Sequence, residues 1–233
     1  MALKRLLVVS PLFSVNAPQP ARFRELVRRW SGIFDVTVLA FDTGGSAPVM
    51  AEGTELKLMK FTRAGRMLIG SRIKFREREQ NDPKQGVSGF SARKHGLRSW
   101  LRKVRINRFF FPDVFIVEYL NIRKHLLTLT TSFRPDAVII SVSPFTLLFL
   151  GGALKRRFPH IKLVIDTGDP FHGDSSSYSR RLLHRLFARR IERMGLAKAD
   201  ITVVPALILK KHYLGCYGDV VDDQRIKVIE NGI

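Results

Sequence analysis

The chain contains a single cysteine, Cys216, among 233 residues, which excludes an internal disulfide and a metal centre built on several thiolates. This scarcity fits a reducing, cytoplasmic setting. Long apolar runs are missing too, since the longest, residues 145–154, is too short to cross a bilayer and is followed by three basic residues. The apolar run at residues 6–9 is followed by Ser10 and Pro11, so we interpret it as a first strand and not as a signal peptide.

Two signatures of bound cofactors are absent. The loop after the first strand, residues 11–20, has no G-x-G-x-x-G, so nicotinamide or flavin binding by the usual phosphate-binding turn is not predicted. The histidines other than His172 show no spacing with carboxylates that is typical of a metal site. We therefore predict no metal site.

Acidic residues are scarce, because 20 Asp and Glu stand against 40 Lys and Arg, giving a formal net charge of +20. A positive net charge of this size indicates an anionic partner: nucleic acid, an anionic membrane or a phosphorylated ligand. Charge alone leaves these alternatives open. No helix-turn-helix, zinc spacing or RNP-like aromatic strand accompanies the charge, so no specific nucleic-acid reader is predicted.

Apolar residues make up 45% of the chain, enough to bury a core. Short apolar runs, typical of strands buried on both faces, alternate with segments of helical periodicity. The predicted strands are residues 5–10, 35–41, 55–61, 135–141, 162–166, 200–205 and 226–233. The predicted helices are residues 22–30, 114–133, 145–158, 180–197 and one that runs through residue 213. This order predicts a single α/β domain over residues 1–233, with a Rossmann-like parallel sheet and helices on both faces.

A basic insert over residues 57–108 interrupts this alternation, with cations and large apolar side chains interleaved and few acids. Residues 98–110 have the pattern of a basic amphipathic helix, in which apolar side chains face acyl chains and cations face headgroups. The residues predicted to contact a membrane are Arg98, Trp100, Arg102, Lys103 and Arg105. The alternative is a solvated helix face beside an ordinary core, and the sequence leaves both open.

A polar elbow follows the predicted strand at residues 162–166, where Asp166, Gly168, Asp169 and Pro170 end an apolar run. Proline cannot continue a ladder, and glycine permits tight backbone geometry. Ligands of doubly wound sheets bind beyond the carboxyl ends of the strands, so we predict a binding site here. The alternative is that the two carboxylates are turn-formers and helix caps.

The helix predicted at residues 180–197 has an apolar stripe that we expect to face the core, with arginines on the opposite side. The predicted stripe consists of Leu182, Leu183, Leu186, Phe187, Ile191 and Met194.

Five motifs then stand in one order along the second half of the chain. They are a strand entering a Ser-x-Ser-Pro turn at residues 136–144, the elbow at 166–170, Glu192 before the strand at 200–205, Tyr217-Gly218, and Ile-Lys-Val-Ile-Glu-Asn-Gly-Ile at 226–233. In this order the sequence resembles the N-terminal half of a GT-B glycosyltransferase of the retaining family 4. The resemblance is good from residue 135 onward and weak over the basic insert.

The resemblance implies transfer of a sugar, with retention of configuration, from a nucleotide-sugar donor to a lipid-linked or surface-glycan acceptor. It implies no metal or other cofactor, since the nucleotide sugar is a substrate. It also implies that this half positions the acceptor and that donor binding belongs mainly to a second, C-terminal domain. Residues 226–233 would begin the linker to that domain, and the isolated chain is expected to be inactive.

Residue by residue, the resemblance implies that Asp169 is the catalytic residue and orients or polarises the acceptor. The acceptor or donor contacts expected around it are Arg22, Ser143, Asp166, His172, Asn231 and Gly232. The alternatives are a solvated helix start for Arg22, a turn residue capping the next helix for Ser143 and a surface histidine for His172. Two features depart from the family, because the first loop lacks a Gly-Gly pair and Ser143-Pro144 stands where many members have a histidine.

The resemblance also gives the basic insert a use. Acceptors in this family are often lipids on the cytoplasmic leaflet, which implies a cytoplasmic protein held peripherally on the inner face of an anionic membrane. The alternative is a stand-alone basic domain that binds membranes or nucleic acid without catalysis. Nucleic-acid binding of that kind would be unspecific and steeply dependent on salt.

Overall fold

The computed structural model describes residues 3–44, 48, 50–70, 73, 110–172 and 182–230. Seven strands form one sheet, and every pair of neighbours is parallel. The strands are β1 Lys4–Val9, β2 Phe34–Phe41, β3 Thr54–Met59, β4 Ala137–Ser141, β5 Lys162–Asp166, β6 Ile201–Val204 and β7 Ile226–Val228. This confirms the predicted Rossmann-like parallel sheet. Its last strand is shorter than the predicted 226–233.

Six α-helices accompany the strands in the described part of the chain. They are α1 Pro18–Trp30, α2 Arg63–Gly65, α3 Tyr119–Phe133, α4 Leu148–Arg157, α5 Leu182–Lys198 and α6 Leu207–Tyr217. A π-helical turn, Arg66–Gly70, continues α2, and the 3-10 turns Val114–Glu118 and Phe145–Leu147 precede α3 and α4. No helix in the described ranges is long and apolar enough to cross a membrane.

Helix α1 begins at Pro18, one turn before the predicted start at residue 22. Proline fixes φ near the helical value and lacks only an N–H that the first turn leaves unbonded, so Pro18 and Pro20 begin this helix instead of preventing it. The earlier start places Gln19 and Arg22 on successive turns of the helix that follows β1.

The core lies on both faces of the sheet. Along β1, Leu7 and Val9 pack with residues from α3, α4 and α5, whereas Leu6 and Val8 pack with Phe23 and Val27 of α1. Successive side chains of a strand point to opposite faces, so one unalternating apolar run supplies both cores. A smaller cluster joins α6 to the end of α5 and to strands β6 and β7.

The apolar stripe predicted for α5 is wrong in part. Phe187 and Met194 are 53% and 54% exposed, while the buried line runs through Ala188, Ile191, Glu192 and Leu196. The inward face of α5 therefore differs from the predicted one. It includes a buried carboxylate, Glu192, which an apolar stripe does not count.

The sheet order β3-β2-β1-β4-β5-β6-β7 places the site. From β1 the chain first forms β2 and β3 on one side of that strand. It then crosses to the other side and forms β4, β5, β6 and β7 there. The connections after β1 and β4 therefore diverge at the carboxyl edge and open a crevice between them, the place where doubly wound sheets bind ligands. The predicted membrane contacts at residues 98–105, together with Asn231 and Gly232, lie outside the described residues.

Candidate functional site

A side-chain hydrogen bond crosses this crevice at the switch point of the sheet, which is the place between β1 and β4 where the connections diverge. The Gln19 amide, on the first turn of α1, donates from Nε2 to Oγ of Ser141 over 3.1 Å. Ser141 is the last residue of β4 and is 2% exposed. The start of the first helix is thereby fixed to the neighbouring strand end, and the crevice has a polar floor.

An ion pair lies next to this contact. Arg22 donates from Nη1 to both carboxylate oxygens of Asp166, at 2.7 and 2.9 Å, and the two side chains are 11% and 5% exposed. Its Nη2 also donates to the Ile229 carbonyl over 3.3 Å. Burial raises the pKa of the Asp166 carboxyl, and the hydrogen bonds and charge of Arg22 oppose that rise. Arg22 thus joins α1, the end of β5 and the segment that leaves β7.

The elbow after β5 carries an exposed carboxylate, Asp169, three residues after this pair. Asp166 and Thr167 are buried, whereas Asp169 is exposed. The Thr167 amide continues the sheet by donating to the Val203 carbonyl, and its Oγ1 lies 3.0 Å from the Asp169 carbonyl oxygen. The backbone turns sharply here, so two carboxylates three residues apart have opposite environments. Asp166 is paired beneath the surface, and Asp169 faces solvent.

Glu192, a residue of helix α5, binds the end of the elbow at residues 171 and 172. This side chain is 2% exposed, and its Oε1 accepts from the Phe171 amide at 2.9 Å and from the Tyr213 hydroxyl at 2.8 Å. Its Oε2 accepts from the His172 amide at 3.0 Å and from the Tyr217 hydroxyl at 2.7 Å. Four neutral donors therefore surround one buried carboxylate.

The two phenols remain protonated donors. Burial raises the pKa of Tyr213 and Tyr217, and the nearby Glu192 charge raises it further. The Tyr213 oxygen also lies 3.1 Å from Oγ1 of Thr167, so the network reaches from α6 through Glu192 to both sides of Asp169.

The structure brings together some of the predicted site residues. Arg22 and Asp166 are in direct contact, and Asp169 lies three residues further along the same elbow. Ser143 is exposed on the loop after β4, and its amide donates to the Ser141 carbonyl. The 3-10 turn after it has Pro144 at its N-cap, without a side-chain cap. The half-buried His172 accepts at its carbonyl from Nε2 of His212 over 3.2 Å.

Several residues of the site were not singled out by sequence reasoning. These are Gln19, Ser141, Thr167 and Tyr213, whereas Glu192 and Tyr217 were noted only as parts of the motif order. A signal was present for some of them: Glu192 stands four residues from both Ala188 and Leu196 on one helix face, and Tyr213 and Tyr217 are four apart on another. Gln19 and Ser141 have no comparable signal.

The chemistry available at this edge is that of hydrogen bonds and charge. Within the described ranges, no group of three or more His, Cys, Asp and Glu side chains has the geometry to hold a metal ion. The exposed Asp169 carboxylate can accept a hydrogen bond from a hydroxyl in the crevice, and Arg22 supplies a cation at its floor.

Comparison with known proteins places this geometry in a family. The sequence model of Glycosyltransferase Family 4 matches residues 19–233. Among solved structures, UGT2 of Phytolacca americana, complexed with UDP-2fluoro-glucose and pterostilbene, is similar with a TM-score of 0.52 and 10% identity, and the match covers 100% of this chain and 54% of that one. UGT73P12 of Glycyrrhiza uralensis, complexed with glycyrrhetinic acid 3-O-monoglucuronide, is similar with a TM-score of 0.50 and 10% identity, covering 94% and 47%.

The chain therefore spans about half the length of these structures, and at this identity the likeness shows the fold alone. None of the curated proteins compared with the chain matches it. The family match is different in kind, because it covers nearly the whole sequence and includes Gln19, Arg22, the elbow and Glu192. The chain belongs to glycosyltransferase family 4.

Proposed function

We propose that this domain binds the acceptor in a retaining glycosyltransferase that takes a sugar from a nucleotide-sugar donor. The observation that carries the proposal is the elbow after β5, where an exposed carboxylate, Asp169, follows three residues after the buried partner of Arg22, at the carboxyl edge of the sheet. UGT2, which has a similar fold, was solved with UDP-2fluoro-glucose and pterostilbene, and this supports a sugar nucleotide as one ligand of the complete protein.

In this mechanism Asp169 accepts a hydrogen bond from the acceptor hydroxyl and orients its oxygen toward the anomeric carbon. The new carbon–oxygen bond forms on the face from which the nucleoside diphosphate leaves, and the proton of the acceptor hydroxyl passes to an oxygen of that departing diphosphate. Protein cations and helix N-termini stabilise the charge on the departing diphosphate, without a metal. Arg22 contributes from the floor of the crevice, and Ser143 and His172 contact the acceptor at the rim.

We also propose a second domain, an acceptor class and a cellular location. A second domain supplies most of the donor site, with Asn231 and Gly232 at the connection. The acceptor is a lipid-linked glycan, and the cations of the basic insert hold the protein on the cytoplasmic face of an anionic membrane.

The test is a transfer assay on the protein expressed from its complete coding sequence. UDP-glucose, UDP-galactose, UDP-N-acetylglucosamine and GDP-mannose are offered with polyprenyl-diphosphate-linked sugars in detergent, and release of nucleoside diphosphate is measured. Asp169→Asn keeps the side chain's shape but removes the charge that strengthens its hydrogen bond to the acceptor hydroxyl. Because that hydroxyl is then poorly oriented, we expect the transfer rate to fall about 100-fold.

Asp35→Asn is the matched control. The Asp35 side chain is 47% exposed, but it lies in β2 near the amino edge of the sheet, away from the elbow. Its substitution should leave transfer unchanged. Equal rates for Asp169→Asn and the parent protein would remove Asp169 from the mechanism, and no transfer from any donor would count against the proposed reaction.

A further inference from the structure

Glu192 has no role in the mechanism above, yet its burial is costly. Moving an ionised carboxylate out of water is unfavourable unless its oxygens are bonded, and the four described donors to Glu192 are all neutral. A residue that served only to fill space on the inward face of α5 would avoid this cost by being apolar, as Ile191 and Leu196 are.

The contacts of Glu192 point to the elbow. Two of its hydrogen bonds come from the consecutive amides of Phe171 and His172, one to each carboxylate oxygen. A planar carboxylate that bonds two successive N–H groups fixes the orientation of the peptide between them. This peptide lies two residues beyond Asp169, near the end of the described range 110–172.

The other two hydrogen bonds orient the carboxylate itself. Tyr213 and Tyr217 project from the same face of α6 and donate one bond to each oxygen, which prevents rotation about the last side-chain torsion of Glu192. Tyr213 is also in contact with Thr167, on the other side of Asp169. The elbow is therefore held at residues 167, 171 and 172 by one network.

We propose that Glu192 is the positioning residue of this site: it does not touch substrate but sets the direction of the Asp169 carboxylate by fixing the elbow backbone. Its exchange for glutamine replaces one acceptor oxygen with an NH2 group. A tyrosine hydroxyl can turn to accept from that group, but a backbone N–H cannot, so the Phe171 or the His172 amide loses its partner.

The first measurement is amide hydrogen exchange, which needs no substrate. In Glu192→Gln, the Phe171 or His172 amide should exchange at least ~10-fold faster than in the parent protein, because its protecting bond is gone. The Thr167 amide, bonded to the Val203 carbonyl, serves as the internal reference and should not change. Unchanged exchange at both elbow amides would overturn the proposal.

The second measurement is turnover with the donor and acceptor pair that gives transfer in the assay described above. A misdirected carboxylate lowers the rate of the chemical step more than it weakens binding, so kcat should fall about 100-fold while KM for the donor stays constant. Tyr217→Phe removes one of the four bonds and leaves both backbone bonds. It should lower kcat only several-fold, and it provides the test if Glu192→Gln does not fold.

Glu118→Gln separates positioning from general destabilisation. Glu118 is also fully buried and holds a backbone amide, that of Thr62, together with the Thr62 hydroxyl and the Asn121 amide, but it lies at the base of α3. Its glutamine variant should lower the unfolding temperature as Glu192→Gln does, with kcat unchanged. A Glu192→Gln protein that unfolds earlier but keeps the parent kcat would show a structural role only and would overturn the proposal.

The positioning role of Glu192 rests on the function proposed for Asp169, but the failure of one can be told apart from the failure of the other. If Asp169→Asn is inactive and Glu192→Gln is fully active, positioning by Glu192 is wrong while the function of Asp169 stands. If Asp169→Asn is itself active, the function assigned to the elbow is wrong, and the positioning role falls with it.

Discussion

At the scale of single residues, the ion pair between Arg22 and Asp166 shows how burial sets the cost of a charge. Both side chains are nearly excluded from solvent, so neither can be rehydrated if its partner is removed. In such pairs, loss of one partner is expensive because it leaves an uncompensated charge in a medium of low polarity. Arg22 therefore stabilises the domain whether or not it also contacts the donor.

We expect Arg22→Ala to lower the free energy of unfolding by about 3 kcal/mol at pH 7, measured by urea denaturation. Burial already raises the folded-state pKa of Asp166 above its unfolded value of about 3.9, and loss of Arg22, which opposes that rise, raises it further. Protonated Asp166 then favours the folded state at low pH, and this contribution is lost as the pH rises through the folded pKa. The deficit of Arg22→Ala should therefore be smaller at pH 5 than at pH 7.

Addition of Asp166→Asn is the check on this cause. The double variant has no buried charge at this position, so it should recover part of the stability lost in Arg22→Ala and show no such pH dependence. A double variant that is less stable than Arg22→Ala at pH 7 would contradict the electrostatic explanation.

At the scale of secondary-structure elements, helices α4 and α5 approach closely at one point. A Cβ atom placed on Gly195 of α5 would lie 2.7 Å from Cδ2 and 3.2 Å from Cβ of Leu148 in α4. Gly152, within α4, has no atom within 4 Å of the corresponding position. Packing therefore requires a small residue at Gly195 but not at Gly152, although both lie inside helices.

Gly195→Ala should destabilise the protein by about 1–3 kcal/mol, since the added methyl group forces Leu148 out of its packed position. Gly152→Ala should instead stabilise it by roughly 0.5–1 kcal/mol, because alanine has the higher helix propensity and meets no neighbour. Unfolding in urea measures both. The packing explanation fails if the two substitutions shift stability in the same direction by similar amounts.

The elements also show where prediction from sequence succeeded and where it failed. The strands were found to within a few residues, except for the end of β7, because a buried strand is a short apolar run that is visible locally. The start of α1 was missed because Pro18 and Pro20 were taken as loop residues, although proline is tolerated in a first turn. The face of α5 was misjudged at Phe187 and Met194, because a buried glutamate is not counted as part of an apolar stripe.

At the scale of the whole molecule, the excess of cations is the property that acts at a distance. A formal net charge of +20 attracts anionic surfaces, and each Lys or Arg close to such a surface adds roughly 1 kcal/mol. This attraction is screened within a Debye length of about 8 Å at physiological salt. Membrane binding through the predicted insert should therefore depend on both lipid charge and ionic strength.

We predict that the protein floats with vesicles containing phosphatidylserine at low salt, but not with vesicles of phosphatidylcholine, and that binding weakens steeply as salt is added. Neutralisation of Arg102, Lys103 and Arg105 to glutamine should release it. The matched control removes three exposed cations elsewhere, Arg28, Arg29 and Lys162, and should retain binding. Failure to float at low salt would exclude the membrane role, and equal release by both triple variants would exclude the insert as its location.

The sequence by itself determined the fold class, the family and the position of the elbow. Burial of strands, helical periodicity and the effects of proline and glycine are local, so they are encoded in short stretches of residues. Only the tertiary structure decided which side chains meet at the elbow. Arg22 and Asp166 are 144 positions apart, and Glu192 is held by tyrosines of another helix. Such contacts depend on sheet order and on how each helix is rotated, and no local pattern specifies either.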